Sequence, residues 1–179
     1  MTDRIAQSSA RLASTIRDIP DFPIPGILFR DITTLLKDRD AFRESVEIMV
    51  APFIDQRVDI VVGVESRGFI FATPVAFALN AGFVPVRKLG RLPAPSLRAE
   101  YELEYGTNTL EIHQDAVQAG QRVLVVDDLL ATGGTAAAAV DLVKQLGGEI
   151  VGLSFLIELS ELHGRNRLEG ERVHSAVTY

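Results

Sequence analysis

Short apolar runs alternate with amphipathic stretches along most of the chain. The run at 123–126 is continuous, and both it and the run at 58–64 are rich in valine, which is typical of strands buried on both faces of a sheet. The stretches between such runs carry apolar residues at helical spacing. This alternation predicts an α/β fold, a mostly parallel twisted sheet flanked by helices. The predicted strands are 58–64, 83–88, 109–113, 123–126, 149–159 and 172–177, and the predicted helices are 3–18, 38–56, 69–81 and 134–146.

Two segments interrupt the alternation. The first, DFPIPGILFRDIT (21–33), breaks a helix because its prolines fix φ. The second, LGRLPAPSLRAEYELEYGTN (89–108), is the least regular part of the chain. Loops of this length in compact domains are usually functional lids or disordered linkers, so we expect a flexible lid loop at 89–108.

Length and composition restrict the class of protein. The 179 residues fit a single domain over 1–179. A net charge of −6 argues against broad binding to nucleic acid, because that binding requires basic side chains to neutralise phosphates. No apolar run approaches the roughly 20 residues needed to span a membrane. Cysteine is absent, which excludes disulfides and thiolate metal ligands and makes the cytoplasm the default location.

Charged or glycine-containing loops follow three of the predicted strands: ESRG (65–68), RKLGR (87–91) and DDLLATGGT (127–135). Ligands of parallel sheets bind at the carboxyl ends of the strands, beside the point where the strand order reverses. We therefore expect the three loops to converge on one site. The basic residues at 87–98 favour a small, highly charged anion as ligand, although Arg98 by itself is better interpreted as part of a solvated surface.

The loop ATGGT (131–135) has the composition of a phosphate cradle. It joins a buried strand to the start of a helix, whose free amides and dipole attract an anion. It lacks both the Gly-Lys-Ser/Thr of nucleoside triphosphatases and the GxGxxG of dinucleotide-binding proteins. Asp127 and Asp128 precede this loop and would repel the phosphate if their side chains faced it. We expect them to face ribose hydroxyls instead, because carboxylates accept hydrogen bonds from hydroxyls well.

The stretch VLVVDDLLATGGT (123–135) resembles, over its full length, the phosphoribosyl-pyrophosphate (PRPP) binding motif of type I phosphoribosyltransferases. DFPIPGILFRDIT, GVESRGFIF, VRKLGRLP and YELEYGTNTLEIH resemble the adenine phosphoribosyltransferase family in the same order and spacing. The resemblance implies that family's fold, with an N-terminal hood at about 18–35 and a flexible catalytic loop at 89–108. It also implies transfer of 5-phosphoribosyl from PRPP to adenine in purine salvage, which gives AMP and pyrophosphate.

The resemblance implies roles for the residues that match the family motifs. Asp127 and Asp128 would bind the ribose hydroxyls, directly or through magnesium-bound water. The 5′-phosphate would be held by Ala131, Thr132, Gly133, Gly134 and Thr135. The pyrophosphate would be bound by Glu65, Ser66, Arg67, Arg87, Lys88 and Arg91. The family also has a cis peptide bond at the position of Glu65-Ser66.

The same resemblance assigns adenine to the proline-rich segment. Phe29 would stack on the purine ring, and the backbone of Leu28 and Arg30 would read its edge. Leu129 would line the other side of the base. A backbone N–H and C=O match the ring nitrogen and amino group of adenine, whereas a 6-oxopurine presents the opposite pattern.

Catalysis is assigned by resemblance to Glu104, as the general acid/base that handles the adenine proton, with Tyr105 beside it. Asp127 and Asp128 would stabilise the positive charge that develops on the ribose. Mg²⁺ would arrive with PRPP and be held mainly by substrate oxygens. The three histidines, His113, His163 and His174, lack the spacing of metal ligands.

The resemblance further implies a homodimer that takes the small molecules adenine and PRPP as substrates, with no nucleic acid or membrane as partner. Two alternatives stay open. A hypoxanthine, guanine or xanthine phosphoribosyltransferase keeps the chemistry and changes the base, but FPIPGILFR and LEYG favour adenine. A non-catalytic PRPP-sensing regulator usually carries an added DNA-binding module and a basic face, and neither the length nor the charge of this chain fits one.

Overall fold

The computed structural model describes residues 2–102 and 107–179, with side chains from residue 7 onwards and without that of residue 102. The chain divides into two compact units, Met1–Ile48 and Met49–Tyr179. None of the helices in the described ranges is long and apolar enough to cross a membrane.

The first unit contains helices and a short hairpin. Its elements are α1 (Thr2–Thr15), β1 (Arg17–Ile19), β2 (Phe29–Asp31), α2 (Thr33–Leu36) and most of α3 (Arg39–Val50). The strands β1 and β2 pair antiparallel, with Ile19 opposite Phe29. Buried Asp31 ties the hairpin together, because it accepts hydrogen bonds from the Thr33 amide at 2.9 Å and from the Arg17 Nε at 3.0 Å. The helix predicted at 3–18 therefore ends early, since residues from Arg17 onwards pair with β2.

A seven-stranded sheet forms the second unit. Its strands, in spatial order, are β5 (Ser96–Glu102), β6 (Thr107–His113), β4 (Gly82–Lys88), β3 (Ile60–Val64), β7 (Arg122–Leu130), β8 (Glu149–Glu158) and β9 (Val173–Thr178). The strands β4, β3, β7, β8 and β9 run parallel to one another. The hairpin β5–β6 pairs with β4 through β6, which runs antiparallel to β4. The mostly parallel sheet of the sequence prediction is confirmed.

Helices flank this sheet because the central strands are apolar on both faces. Val62 on β3 belongs to the same buried cluster as Ala139 and Val143 of α5 (Gly134–Gln145). A Cβ on the next residue, Gly63, would lie on the opposite face of the sheet, 2.7 Å from the Cβ of Ala72 in α4 (Gly68–Ala78). The period-2 alternation of a strand thus places α4 and α5 on opposite faces.

The prediction that 89–108 lacks regular structure is wrong for much of that stretch. Residues 96–102 form β5, which pairs with β6 from Ser96 opposite His113 to Glu102 opposite Thr107. Leu97, Ala99 and Tyr101 alternate along β5 and pack against the core. This alternation is a strand signal that the flanking prolines and charged residues obscured. Whether the remaining residues close as a lid stays a prediction.

Candidate active site

The carboxyl ends of β3, β4 and β7 meet at one cavity of about 220 Å³. β3 lies between the other two strands and runs parallel to both, so the cavity lies where the chain changes direction across the sheet. Its wall includes residues 64–67 at and after the end of β3, Lys88 at the end of β4, and residues 127–136 from β7 into α5. The predicted convergence of the three loops is confirmed.

The phosphate cradle is the turn from β7 into α5. Gly133 precedes the helix with a φ of +82°, and no described side chain caps the helix there. The first amides of α5 therefore face the cavity without an intrahelical partner. Gly133 cannot be replaced without disturbance, because a Cβ at this position would collide with the backbone carbonyl of Gly164.

Gly164 packs against the backbone of the phosphate cradle and was not predicted as a site residue from the sequence. A Cβ on Gly164 would collide in turn with the carbonyl of Ala131, so the two backbones touch without side chains between them. Arg165, the next residue, forms two hydrogen bonds to buried Glu158 at 2.6 and 2.7 Å. Ser175 donates a third hydrogen bond to the same carboxylate at 2.7 Å. The end of β8 thus fixes the segment on which the cradle rests.

The two aspartates at the end of β7 differ in their surroundings. Asp128 is buried, and its Oδ2 lies 2.9 Å from the Arg67 Nε. Asp127 accepts the Asp128 backbone N–H at 2.8 Å and packs against Gly68, the first residue of α4. A Cβ on Gly68 would lie 2.5 Å from the Asp127 Oδ1, so this approach requires glycine.

Burial raises the pKa of both aspartates. The pKa of Asp127 rises well above its usual range, first because protein atoms enclose the carboxyl and then because Asp128 lies beside it. Burial also raises the pKa of Asp128, but Arg67 opposes that rise. Crowded carboxylates of this kind favour a hydrogen-bond donor or a cation in the cavity.

Glu65 organises the cationic side of the site. Its carboxylate accepts hydrogen bonds from the Arg87 guanidinium at 3.2 and 3.3 Å and from the Lys88 backbone N–H at 3.0 Å. Burial alone would raise the pKa of Glu65, but these donors outweigh it and lower the pKa. The turn between Glu65 and Ser66 contains the expected cis peptide bond.

The predicted pyrophosphate residues therefore separate into two groups. Glu65, Ser66, Arg67 and Lys88 line the cavity, whereas Arg87 and Arg91 do not appear in its wall. The charge of Arg87 is paired with Glu65, and its Nη1 donates to the Arg91 carbonyl at 3.1 Å. In the described part of the chain, the Lys88 ammonium has no ion-pair partner, so its charge is available to an anion.

The predicted adenine residues belong to both units. In the first unit, Leu28 is exposed, Phe29 contacts Phe22 edge to face at 5.1 Å, and the Arg30 side chain pairs with Asp18. In the second unit, Leu129 lines the cavity.

The predicted catalytic pair, Glu104 and Tyr105, lies outside the described residues. Tyr101 lines the cavity from β5 and was not predicted, because β5 itself was not predicted. Across the described ranges, no group of three or more histidine or acidic residues is placed to hold a metal ion.

Similarity to known proteins extends over nearly the whole chain. A family model described as phosphoribosyl transferase domain matches residues 36–178. An adenine phosphoribosyltransferase from Halothermothrix orenii is 58% identical over 159 residues, which cover 89% of this chain and 94% of that protein. The crystal structure of adenine phosphoribosyltransferase from Rhodothermus marinus aligns with a TM-score of 0.93 at 50% identity, over 97% of this chain and 99% of that one. The Saccharomyces cerevisiae enzyme, complexed with D-2,5-dideoxy-2,5-imino-altritol 1,6-bisphosphate and adenine, aligns with a TM-score of 0.90 at 39% identity, over 96% and 99% of the two chains.

Proposed function

Since the chain belongs to the adenine phosphoribosyltransferases of the phosphoribosyltransferase family, we propose that its cavity catalyses the transfer of 5-phosphoribosyl from PRPP to adenine. The products are AMP and pyrophosphate, and the reaction salvages a free purine base. One observation carries the proposal: a single cavity joins the start of a helix, two crowded carboxylates and the Lys88 ammonium group. These groups match the 5′-phosphate, the ribose diol and the pyrophosphate of PRPP.

The 5′-phosphate would bind at residues 131–135. The amides at the start of α5 donate hydrogen bonds, the hydroxyls of Thr132 and Thr135 add two more donors, and the helix dipole contributes about half a positive charge. The ribose hydroxyls would then reach Asp127 and Asp128. The support for this orientation is electrostatic, because the reverse one would set phosphate against the two carboxylates.

The pyrophosphate would contact Ser66, Arg67 and Lys88. Lys88 supplies a charge that has no ion-pair partner in the described part of the chain, and Arg67 supplies one that it shares with Asp128. Glu65 and Arg87 would act indirectly, because Glu65 holds both the Arg87 guanidinium and the Lys88 amide. Without these hydrogen bonds, the Glu65 carboxylate would repel the pyrophosphate.

Adenine would be read by the backbone at residues 28–30, with Phe29 stacked on its ring. The pairing of the Arg30 guanidinium with Asp18 supports the use of the Arg30 backbone rather than its side chain. Leu129 would give the base an apolar wall. The yeast relative is complexed with adenine, which supports the choice of base.

In the transfer step, N9 of adenine forms a bond to C1 of the ribose while the bond from C1 to the pyrophosphate oxygen breaks. The pyrophosphate leaves with the electron pair of that bond. Glu104 would take the proton that adenine loses, and Asp127 and Asp128 would stabilise the cationic ribose. The predicted lid loop at 89–108 would exclude water, since water at C1 would hydrolyse PRPP.

Magnesium fits this arrangement as a partner of PRPP. Burial raises the pKa of Asp127 and Asp128, and the Asp128 charge raises that of Asp127 further. A divalent cation would favour the ionised form of both carboxyls, and substrate oxygens would complete its ligands. When bound, the ion neutralises charge on the pyrophosphate leaving group.

Assembly and location are further parts of the proposal. We propose a homodimer, supported by the apolar outer face of α4, where Ile70 is exposed and Phe77 is 89% exposed. Exposed apolar side chains that cluster on a folded surface usually mark a protein–protein contact. We also propose a cytoplasmic location, which the absence of cysteine supports.

Incubation of the protein with PRPP and Mg²⁺ and with either adenine or hypoxanthine tests the function. AMP and pyrophosphate should form from adenine, with far slower turnover of hypoxanthine. Faster use of hypoxanthine would reject the choice of base, and no product from either base would reject the enzyme.

A further inference from the structure

A row of alternating charges crosses the three strands β5, β6 and β4 and reaches the residue after β3, beside the cavity. Arg98 on β5 and Arg87 on β4 both lie opposite Glu111 on β6. Arg87 pairs in turn with Glu65, which directly follows β3. Residues that are opposite each other in a sheet share a face, so Arg98, Glu111 and Arg87 form one row. The Arg87–Glu65 ion pair extends this row to Glu65.

Glu111 is the least accessible member of this row, with 2% of its surface exposed. Its Oε1 accepts hydrogen bonds from the Arg98 Nε at 2.9 Å and from the Ser96 hydroxyl at 3.3 Å. Its Oε2 accepts the Gly90 backbone N–H at 2.7 Å. Burial alone would raise the pKa of Glu111, but the Gly90 amide and Arg98 more than offset it and lower the pKa, so the carboxylate is ionised at neutral pH.

The Gly90 amide belongs to the turn that presents Lys88. Gly90 has a φ of +77°, and the Arg91 N–H donates to the Lys88 carbonyl at 3.3 Å, which closes a four-residue turn over 88–91. Glu65 holds the Lys88 amide at 3.0 Å. Two carboxylates therefore fix this turn, Glu65 at its first residue and Glu111 at its third.

We propose that Glu111 is a positioning residue for PRPP, which sets the Lys88 turn against the pyrophosphate and links that turn to the β5–β6 hairpin. This inference rests on the proposed function. Glu111 touches no substrate in this account, and it acts through the Gly90 amide on the placement of the Lys88 ammonium. Arg98 pairs with the Glu111 carboxylate, but its own side chain is 64% exposed and it does not contact the Lys88 turn through that carboxylate's Gly90 hydrogen bond.

Glu111→Gln tests the proposal most directly. The amide keeps the shape of the side chain but replaces one carboxylate oxygen with a donor, which must then face either the Arg98 Nε or the Gly90 N–H. The KM for PRPP should rise roughly tenfold while the KM for adenine stays unchanged, in line with the loss of a hydrogen bond to a charged group. An unchanged KM for PRPP would overturn the proposal.

A Lys88→Ala background separates positioning from general damage. If Glu111 acts through Lys88, Glu111→Gln should raise the KM for PRPP by no more than about twofold in that background, because coupled residues are not additive. An equal fold increase in the KM for PRPP in the wild-type and Lys88→Ala backgrounds would overturn the proposal. Arg98→Gln leaves the Gly90 hydrogen bond in place and should change the KM for PRPP little, and an effect equal to that of Glu111→Gln would also overturn it.

Two further measurements complete the design. Glu100→Gln removes an exposed carboxylate from the same hairpin and should leave both KM values unchanged. Should Glu111→Gln fail to fold, Gly90→Ala displaces the same amide, because its φ of +77° strains alanine while the space around it is open. Gly90→Ala should raise the KM for PRPP alone, and no change would count against the proposal. AMP formation by the wild-type protein tests the proposed function separately.

Discussion

The Arg67 Nε lies 2.9 Å from the Asp128 Oδ2 in the wall of the cavity. The sequence assigned these residues to different parts of PRPP, Arg67 to the pyrophosphate and Asp128 to the ribose. The structure joins them in one ion pair, in which Arg67 opposes the rise that burial gives to the pKa of Asp128. The pKa of Asp127 rises further, first because of burial and then because of the neighbouring Asp128 charge.

Asp127→Asn should stabilise the protein while it weakens activity. The raised pKa means that the folded state binds the Asp127 proton more tightly than the unfolded chain, so stability falls as pH rises from about 4 through the folded pKa. The cost is therefore larger at pH 7 than at pH 4, and asparagine removes it while its side-chain oxygen can still accept the Asp128 amide. Thermal unfolding should show a higher Tm at pH 7, by roughly 2–4 °C for each kcal/mol gained, and a smaller gain at pH 4. A lower Tm at pH 7 would contradict the pKa assignment.

Gly133→Ala should disrupt the phosphate cradle, because alanine adds a collision with the Gly164 carbonyl to the strain of a positive φ. Gly120→Ala is a matched control, since Gly120 has a similar φ of +80° but open space where the alanine Cβ would lie. The control should lose only about 1–2 kcal/mol of stability and keep its KM for PRPP. Gly133→Ala should lose more stability and raise that KM at least roughly tenfold, as expected when charged hydrogen bonds are misplaced. Equal behaviour of the two variants in thermal unfolding and kinetics would refute the close contact.

Glu104→Gln should reduce kcat by roughly 10²- to 10⁴-fold, the usual contribution of a general acid/base. The KM for PRPP should change little, because Glu104 is assigned to the adenine proton rather than to PRPP. Glu100→Gln, four residues earlier, serves as the control for the loss of one charge from the hairpin. Steady-state kinetics of both variants measure the difference, and a kcat like that of the wild type would remove Glu104 from the chemistry.

Phe77→Ser should weaken the proposed dimer. Phe77 is 89% exposed at the outer face of α4, so the substitution should change the stability of the isolated chain little. An interface would lose the free energy gained from burying the aromatic ring. Sedimentation at several protein concentrations should show a dimer for the wild type and a shift towards monomer for the variant. Lys37→Ser supplies a control on a different unit of the chain. Wild-type protein that sediments as a monomer at all concentrations would reject the dimer.

The parts of the fold that the sequence predicts are those set by local pattern. Valine-rich runs predict β3 and β7 because both faces of these strands are buried, and the small residues at 131–135 predict the turn into α5 because only they allow its close approach. The hairpin β1–β2 and the strand β5 escaped prediction, because prolines lie next to both and their pairing depends on residues elsewhere in the chain.

The parts of the site that escaped prediction depend on non-local contacts. Gly164 looks like an ordinary loop glycine until the fold brings its backbone against Ala131 and Gly133. Glu111 lies between two buried apolar residues, Leu110 and Ile112, and only its position in the row of opposite charges explains a buried carboxylate. The same row explains why Arg87, predicted as a ligand, is engaged by Glu65 instead.

Calorimetric titration of PRPP with Mg²⁺ into the wild-type protein and Asp128→Asn tests the central claim most directly. Wild-type protein should bind one PRPP per chain, and Asp128→Asn should bind it roughly 10- to 100-fold more weakly, because a charged acceptor for the ribose hydroxyls is lost. Asp115→Asn, which removes an exposed carboxylate after β6, should bind like the wild type. Absence of binding heat in the wild type, or equal affinity in Asp128→Asn, would contradict the placement of PRPP in this cavity.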